Sequence, residues 1–376
     1  MVVSTTMTSS GLKLVHYDEP AITFPKVAPK VMVIASGHTF STRDVYDNCV
    51  AGLQACGVDV MGFPYHEYIE RYMPLGEQFD LDLILAMASD AAFPRAMAFR
   101  PDLILFVTGY VFPQAASLLL GQYAPTAVYL TEGPYQTPTE QMCQSGFRTA
   151  FTNERLMVDR IKGWRRDGGH PCPDNVYYLP HCYDPRRHHP REHVPVGYQS
   201  DVCFIGSPFP ERQALFGGVD WRGIDFLARG LWSRRDVDQP LDAPDGAVSN
   251  DEAHLYYAGA KINVNHHRSI RYFDHDEEIE TGEAESINLR AYELAAAACF
   301  QICDDSRPEL YELFGETIPT YHSGSSADLE RVIRYYLNNP ETRQWCAEMA
   351  RARVQQHTAE ARMRYLLEKT LPCEKS

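Results

Sequence analysis

The chain has 376 residues, 44% of them hydrophobic, with 35 basic against 50 acidic side chains for a formal net charge of −15. That length exceeds one ordinary core, so two domains of under about 200 residues each are expected, and the acidic balance opposes passive attraction to nucleic acid or an anionic membrane. No apolar run approaches the roughly 18 residues of a spanning helix and the polar start Met1 to Ser10 lacks a signal-peptide core, so no membrane span and a cytoplasmic location are expected.

Residues 1–29 show no clear period and read as a loosely ordered or docked arm. A first α/β domain then spans residues 30–185. It opens with the continuous apolar strand Val31 to Ala35, followed by a helix from Val45 to Cys56 and a strand from Val58 to Phe63. One helix is expected over Leu81 to Phe99, a strand over Asp102 to Val107, a helix over Gln114 to Gly121 and a strand over Ala127 to Leu130. A short strand at Thr149 to Thr152 and a helix from Glu154 to Gly163 complete a parallel, doubly wound pattern. His170, Cys172, His181, Cys182, His188, His189 and His193 form a cluster without any Cys-x-x-Cys spacing. The prolines from Pro171 to Pro190 mark this stretch as an interdomain connection, and no metal is expected. The ten cysteines are scattered and should be reduced.

A second domain is expected over residues 186–345. Its first strand is Asp201 to Gly206, and the turn Gly206 to Arg212 leads into a helix, the place where an open α/β sheet collects ligand. A weak strand at Ile224 to Leu227, a helix at Asp251 to Gly259 and a strand at Ala260 to Asn265 follow. The acidic stretch Tyr272 to Glu283 reads as a solvated loop. Helices are expected at Leu289 to Ala298, Glu309 to Phe314, Ala327 to Leu337 and Glu341 to Leu371, with a strand at Phe300 to Cys303. Residues 346–376 are set apart as a terminal helix.

The most informative segment runs from Glu285 to Glu293, two carboxylates separated by seven residues at the opening of an apolar helix. Unpaired backbone N–H groups there favour an anion such as a diphosphate. Arg290 would neutralise phosphate oxygens, and a carboxylate one turn away would accept two ribose hydroxyls. Capping and dipole partnership explain the same residue types, so the segment alone leaves both readings open. No Gly-x-Gly-x-x-Gly follows Val31 to Ala35, which argues against a dinucleotide cofactor.

Tyr178-Leu179-Pro180, Asp201 to Ser207, Ala260 to Asn265 and Asn288 to Ala296, with Tyr335-Tyr336-Leu337 and His357-Thr358 in the tail, are collinear over residues 176–368. In that order they resemble the spore-maturation (CgeB-type) glycosyltransferase-like family of the GT-B fold. The resemblance implies two Rossmann-like, doubly wound domains facing across a cleft. The first would take the acceptor and the second the nucleotide-sugar donor, with the terminal helix crossing back to the first. Thr131-Glu132-Gly133-Pro134-Tyr135 departs from the family's acidic Asp-Pro pattern.

On this resemblance Glu293 would bind the donor ribose, and Arg290 and Arg212 the diphosphate. Gly206 and Ser207 would admit the donor to the backbone. Asn265, His266, His267 and Arg268 would meet base or sugar, Asn288 would bind the donor from the helix start, and Glu285, a catalytic candidate, would reach the donor sugar. His38 and Glu132 are the candidate bases if transfer inverts the anomeric centre, whereas the glutamate spacing leans toward retention. The function implied is transfer of a sugar from a nucleoside-diphosphate sugar, with a UDP-sugar favoured and no tightly bound cofactor, to an unidentified acceptor. A sugar-nucleotide epimerase, a DNA-base glycosyltransferase and a noncatalytic sugar-nucleotide-binding protein are the alternatives.

Overall fold

The computed structural model describes residues 5–7, 13–15, 28–37, 42–76, 78–135, 146–164, 173–230, 232, 248–268, 271–274, 277–280 and 283–371. The chain divides into two compact units, one made of residues 19–182, 270–284 and 358–376, the other of residues 1–18, 183–269 and 285–357.

The first unit is built on a six-stranded parallel sheet. In chain order its elements are β3 (Lys30–Ile34), α1 (Thr42–Ala55), β4 (Asp59–Phe63), α2 (Tyr65–Tyr72), α3 (Leu81–Asp90), α4 (Ala92–Phe99) and β5 (Leu103–Val107). They continue with α5 (Gln114–Tyr123), β6 (Thr126–Leu130), β7 (Thr149–Thr152), α6 (Arg155–Trp164) and β8 (Asn175–Tyr178). The strand order is β4-β3-β5-β6-β7-β8. Every residue of β5 and β6 is buried, as expected of continuous apolar runs covered on both faces by helices.

The second unit carries a five-stranded parallel sheet. It comprises β9 (Ser200–Ile205), α7 (Pro210–Gly217), β10 (Phe226–Arg229), α8 (Asn250–Gly259), β11 (Ala260–Asn265), α9 (Leu289–Ala296) and β14 (Gln301–Asp304). It is completed by α10 (Pro308–Phe314), β15 (Thr320–Tyr321), α11 (Ser326–Leu337) and α12 (Pro340–Val354). The order β10-β9-β11-β14-β15 places the reversal of strand order between β9 and β11, which is where open α/β sheets bind ligands.

Several expectations are corrected. The helix expected over residues 81–99 is two helices, because Pro94 lacks an amide hydrogen and its ring crowds the carbonyl of Asp90, where α3 ends. The long helix expected to Leu371 is broken after Val354. Thr358 starts a new one, α13 (Ala359–Thr370), with its hydroxyl accepting from the Ala361 amide at 3.1 Å. The acidic stretch read as a loop contains the antiparallel pair β12 (Arg271–Asp274) and β13 (Glu277–Glu280), with Tyr272 opposite Ile279. The acidic content hid β-preferring residues at facing positions. In the supposed arm, β1 (Thr5–Met7) pairs with β2 (Lys13–Val15), and the weak strand β10 lies two residues later than read.

Helix α13 packs on α1 of the first unit. Its Arg362 Nε donates to the carbonyls of Pro180 at 3.0 Å and His181 at 3.3 Å. The approach of the two helices is set by Gly52, where a Cβ would lie 2.3 Å from the Ala359 carbonyl oxygen. Replacing a helical glycine by alanine ordinarily gains up to about 1 kcal/mol. Gly52→Ala is instead expected to cost about 1–3 kcal/mol, since backbone atoms cannot yield as a flexible side chain does. A urea unfolding midpoint at or above that of the unaltered protein would contradict this packing.

Candidate functional site

The carboxyl ends of β9 and β11 and the start of α9 bring together most of the second-half candidates. The Gly206 amide donates to the Arg229 carbonyl at 2.9 Å. Beyond β10, Gly230 has φ of 105°, and a Cβ there would stand 2.9 Å from the Gly206 carbonyl oxygen. Only glycine suits that crossing. Ser207 then leads into α7, which opens at Pro210 and carries Arg212 on its first turn.

Arg212 is buried, at 7% exposure. Its Nη1 donates to the Ser207 carbonyl at 3.1 Å and its Nη2 to the His266 carbonyl at 3.0 Å, while Nε has no hydrogen-bond partner among the described residues. Its guanidinium lies 5.3 Å from the Phe204 ring centre and 5.0 Å from that of Phe209. The guanidinium of Arg268 also lies 5.0 Å from the Phe209 ring, and that of Arg290 lies 5.8 Å from Phe204. Arg290 Nε donates to the Tyr257 hydroxyl at 2.8 Å. Among the described residues neither Arg212 nor Arg290 is ion-paired with a carboxylate. Burial, reinforced by repulsion from Arg290, lowers the Arg212 pKa to about 10. Such a cluster is costly by itself and is relieved by an anion.

The other polar candidates brace the start of α9. Asn288 caps the helix, its Oδ1 accepting from the Ala291 amide at 3.1 Å. It also exchanges side-chain amide bonds of 3.1 and 2.7 Å with fully buried Asn265. His267 donates from its amide at 2.6 Å and from Nδ1 at 2.8 Å to Asp304 Oδ2, and its Nε2 accepts from the Asn288 amide at 3.3 Å. This fixes its tautomer. Burial costs the Asp304 carboxyl, yet His267 and His266 more than offset it and hold the group far below the ordinary carboxylate range. His267, Cys303 and Asp304 place three potential metal-ligand atoms within 4.8 Å of one another among the described residues. Both His267 nitrogens are already engaged in hydrogen bonds, so the trio is explained as a brace.

Glu293 lies one turn further along α9, at 6% exposure. Its Oε1 is 3.3 Å from Nε2 of His188, whose ring meets that of His254 edge-on at 4.4 Å between centres. Burial raises the Glu293 pKa, but His188, His254 and Arg290 together bring it down to about 2. The sequence reading passed over His254 and assigned His188 to the connection. A histidine inside a proline-rich stretch carries no periodic signal of burial.

The remaining candidates are placed differently. The half-buried Glu285 uses its carbonyl to accept the Glu309 amide at 3.2 Å. Glu132 belongs to the first unit, just past β6, with its carbonyl accepting from Tyr135 at 2.9 Å. His38 lies outside the described residues.

Burial gives the second unit a defined acid sensitivity. It moves the pKa of His254 and of His266 from 6.5 to about 4. Both are therefore neutral when folded, and the unfolded chain takes up their protons first. The stability tied to each is present above pH 6.5 and is lost as pH falls toward 4. Each histidine should cost about 2 kcal/mol by roughly pH 5. Urea midpoints should fall between pH 7 and 5, less steeply in His254→Phe. A flat profile in the unaltered protein would contradict the assignment.

Residues 210–368 match the family model described as glycosyl transferase-like. No curated protein matches the chain in sequence. Among solved structures, sucrose-phosphate synthase from Thermosynechococcus elongatus is similar at a TM-score of 0.59 and 11% identity, over 91% of this chain and 98% of that one. HepE of Anabaena, solved with UDP-glucose, gives 0.58 and 12% over 91% and 99%. A UDP-N-acetylglucosamine 2-epimerase described as putative, from Listeria monocytogenes, gives 0.54 and 9% over 91% and 95%. At such identities these likenesses carry the fold alone. Among the described residues no helix is long and apolar enough to cross a membrane. Two parallel sheets flanked by helices, shared with these structures over nine-tenths of the chain, give it the GT-B fold, and residues 210–368 are glycosyl transferase-like.

Proposed function

We propose that the protein transfers a sugar from a nucleoside-diphosphate sugar, with a UDP-sugar favoured, to an acceptor taken by the unit built on the six-stranded sheet. The observation that carries the donor reading is buried Arg212, its Nε without a partner among the described residues, beside Arg290 at the strand-order reversal of the second sheet. The complex of HepE with UDP-glucose on a similar fold supports the choice of donor. The collinear motifs support a place near the spore-maturation branch.

In this reading Arg212 and Arg290 take the diphosphate, the Gly206-Ser207 backbone lies along the donor, and Glu293 accepts ribose hydroxyls. Asn265, Asn288 and His267 act through α9 by holding its start in place. Arg268 adds positive charge near the same aromatic ring, and Glu285 lies toward the donor sugar. The bond from the sugar's anomeric carbon to the diphosphate oxygen breaks, and the diphosphate leaves with the electron pair. The acceptor oxygen forms the new glycosidic bond and gives up its proton. Stabilisation of the leaving diphosphate by arginines suits retention, in which a departing phosphate oxygen takes that proton. Inversion would instead call on Glu132 or His38 as base.

Calorimetric titration of the full chain separates these roles. Arg290→Gln should weaken UDP and inorganic pyrophosphate alike, by roughly tenfold or more. Glu293→Gln should weaken UDP while leaving pyrophosphate binding nearly unchanged. A folded protein that binds no UDP-, GDP- or TDP-sugar would sink the proposal.

A further inference from the structure

Residues 183–199 enter the second unit as a proline-containing connection, yet one of their side chains is among the least exposed in the protein. His188 is 2% exposed. The turn that presents it is tightly made. The Arg186 guanidinium meets the Asp184 carboxylate at 2.9 Å, and the His188 amide donates to the Asp184 carbonyl at 2.9 Å. Across the turn the Asp184 amide lies 3.1 Å from His188 Nδ1, and Arg187 reaches Asp251 of α8 at 3.2 Å. Nδ1 also lies 3.1 Å from the Asp184 carbonyl oxygen, so it can accept the amide with the ring proton on Nε2, or donate to the carbonyl, and a protonated ring carries a proton on both nitrogens. With the proton on Nε2, or with the ring protonated, an N–H stands on the atom 3.3 Å from Glu293 Oε1.

We propose that His188 is a positioning residue for donor binding, holding the Glu293 carboxylate ionised and fixed so that it can accept the ribose hydroxyls; this rests on the ribose reading of Glu293. The surroundings require such a partner. The titratable and charged groups facing Glu293 are His188 from the connection, His254 and the Tyr257 hydroxyl from α8, and Arg290 from its own helix. Glu293 Oε1 and His188 Nε2 are both buried and, among the described residues, neither forms an aligned hydrogen bond, so the carboxylate oxygen beside the His188 ring has acceptor capacity to spare. Without His188, burial would favour the neutral acid, which accepts hydroxyl donors more weakly. His254 is a poor substitute, because burial keeps it neutral down to about 4.

The test combines UDP titration from pH 8 to 5.5 with ¹³C NMR of the Glu293 carboxyl in the full chain, assigned through Glu293→Gln. The unaltered protein should bind UDP with little pH dependence and show a carboxyl titrating below the ordinary glutamate range. His188→Ala should weaken UDP binding by roughly tenfold at neutral pH and further as pH falls, as the carboxyl pKa rises. His188→Gln, which keeps an N–H donor and most of the volume, should recover much of the neutral-pH affinity. Unchanged UDP affinity and pH profile in folded His188→Ala would overturn the proposal. So would an ordinary Glu293 titration in the unaltered protein, a readout that needs no variant to fold. Absence of nucleotide binding by the unaltered protein would overturn the donor reading, and the carboxyl titration would then decide the His188–Glu293 link on its own.

Discussion

A positive charge buried without a carboxylate partner among the described residues is the constraint around which the second unit is arranged. Arg212 sits between aromatic rings and spends two of its nitrogens on backbone carbonyls while Nε has no partner among the described residues, with Arg290 close enough to lower its affinity for its own proton. Taking a guanidinium out of water costs several kcal/mol unless charge and hydrogen bonds are returned to it. The cost is carried at the strand-order reversal, where open α/β sheets generally bind ligands. The turn after β9, the end of β11 and the first turn of α9 all meet at the strand-order reversal, and a diphosphate there would answer the arginines and the helix end together.

An anion held there would need a fixed geometry, and a second buried charge supplies it. Asp304 at the end of β14 accepts two hydrogen bonds from His267, and the other ring nitrogen of His267 accepts the amide of Asn288. Asn288 in turn caps α9 and pairs with Asn265 at the end of β11. Two strands and a helix start are thus joined by one network with defined donors and acceptors. Arg290 and Glu293 inherit their positions from it. Several residues that sequence reading offered as ligand contacts therefore have a structural occupation, and their influence on a donor runs through the placement of α9.

Much of this was legible in the sequence. Continuous apolar runs such as Leu103 to Val107 announce strands covered on both faces, and their alternation with helices gives parallel sheets. The Asn288 to Glu293 segment reads as a capped helix start with charge on it, as the structure shows. What was not legible depends on contacts between residues distant in sequence. His188 and Glu293 are 105 positions apart and meet at 3.3 Å, and no local pattern marks either histidine of that group. Pro94 and Thr358 are local signals that break longer helical patterns. The acidic hairpin was missed for a similar reason, because charge density outweighed the facing Tyr272 and Ile279.

The role of α9 depends on where the donor sits. A crystal structure of the full chain with bound UDP-glucose tests that most directly. The diphosphate should lie against Arg212 and Arg290 beside the Gly206-Ser207 backbone, with the ribose hydroxyls within hydrogen-bond reach of the Glu293 carboxylate. A nucleotide bound in the second unit away from α9, or held only by the first unit, would contradict it.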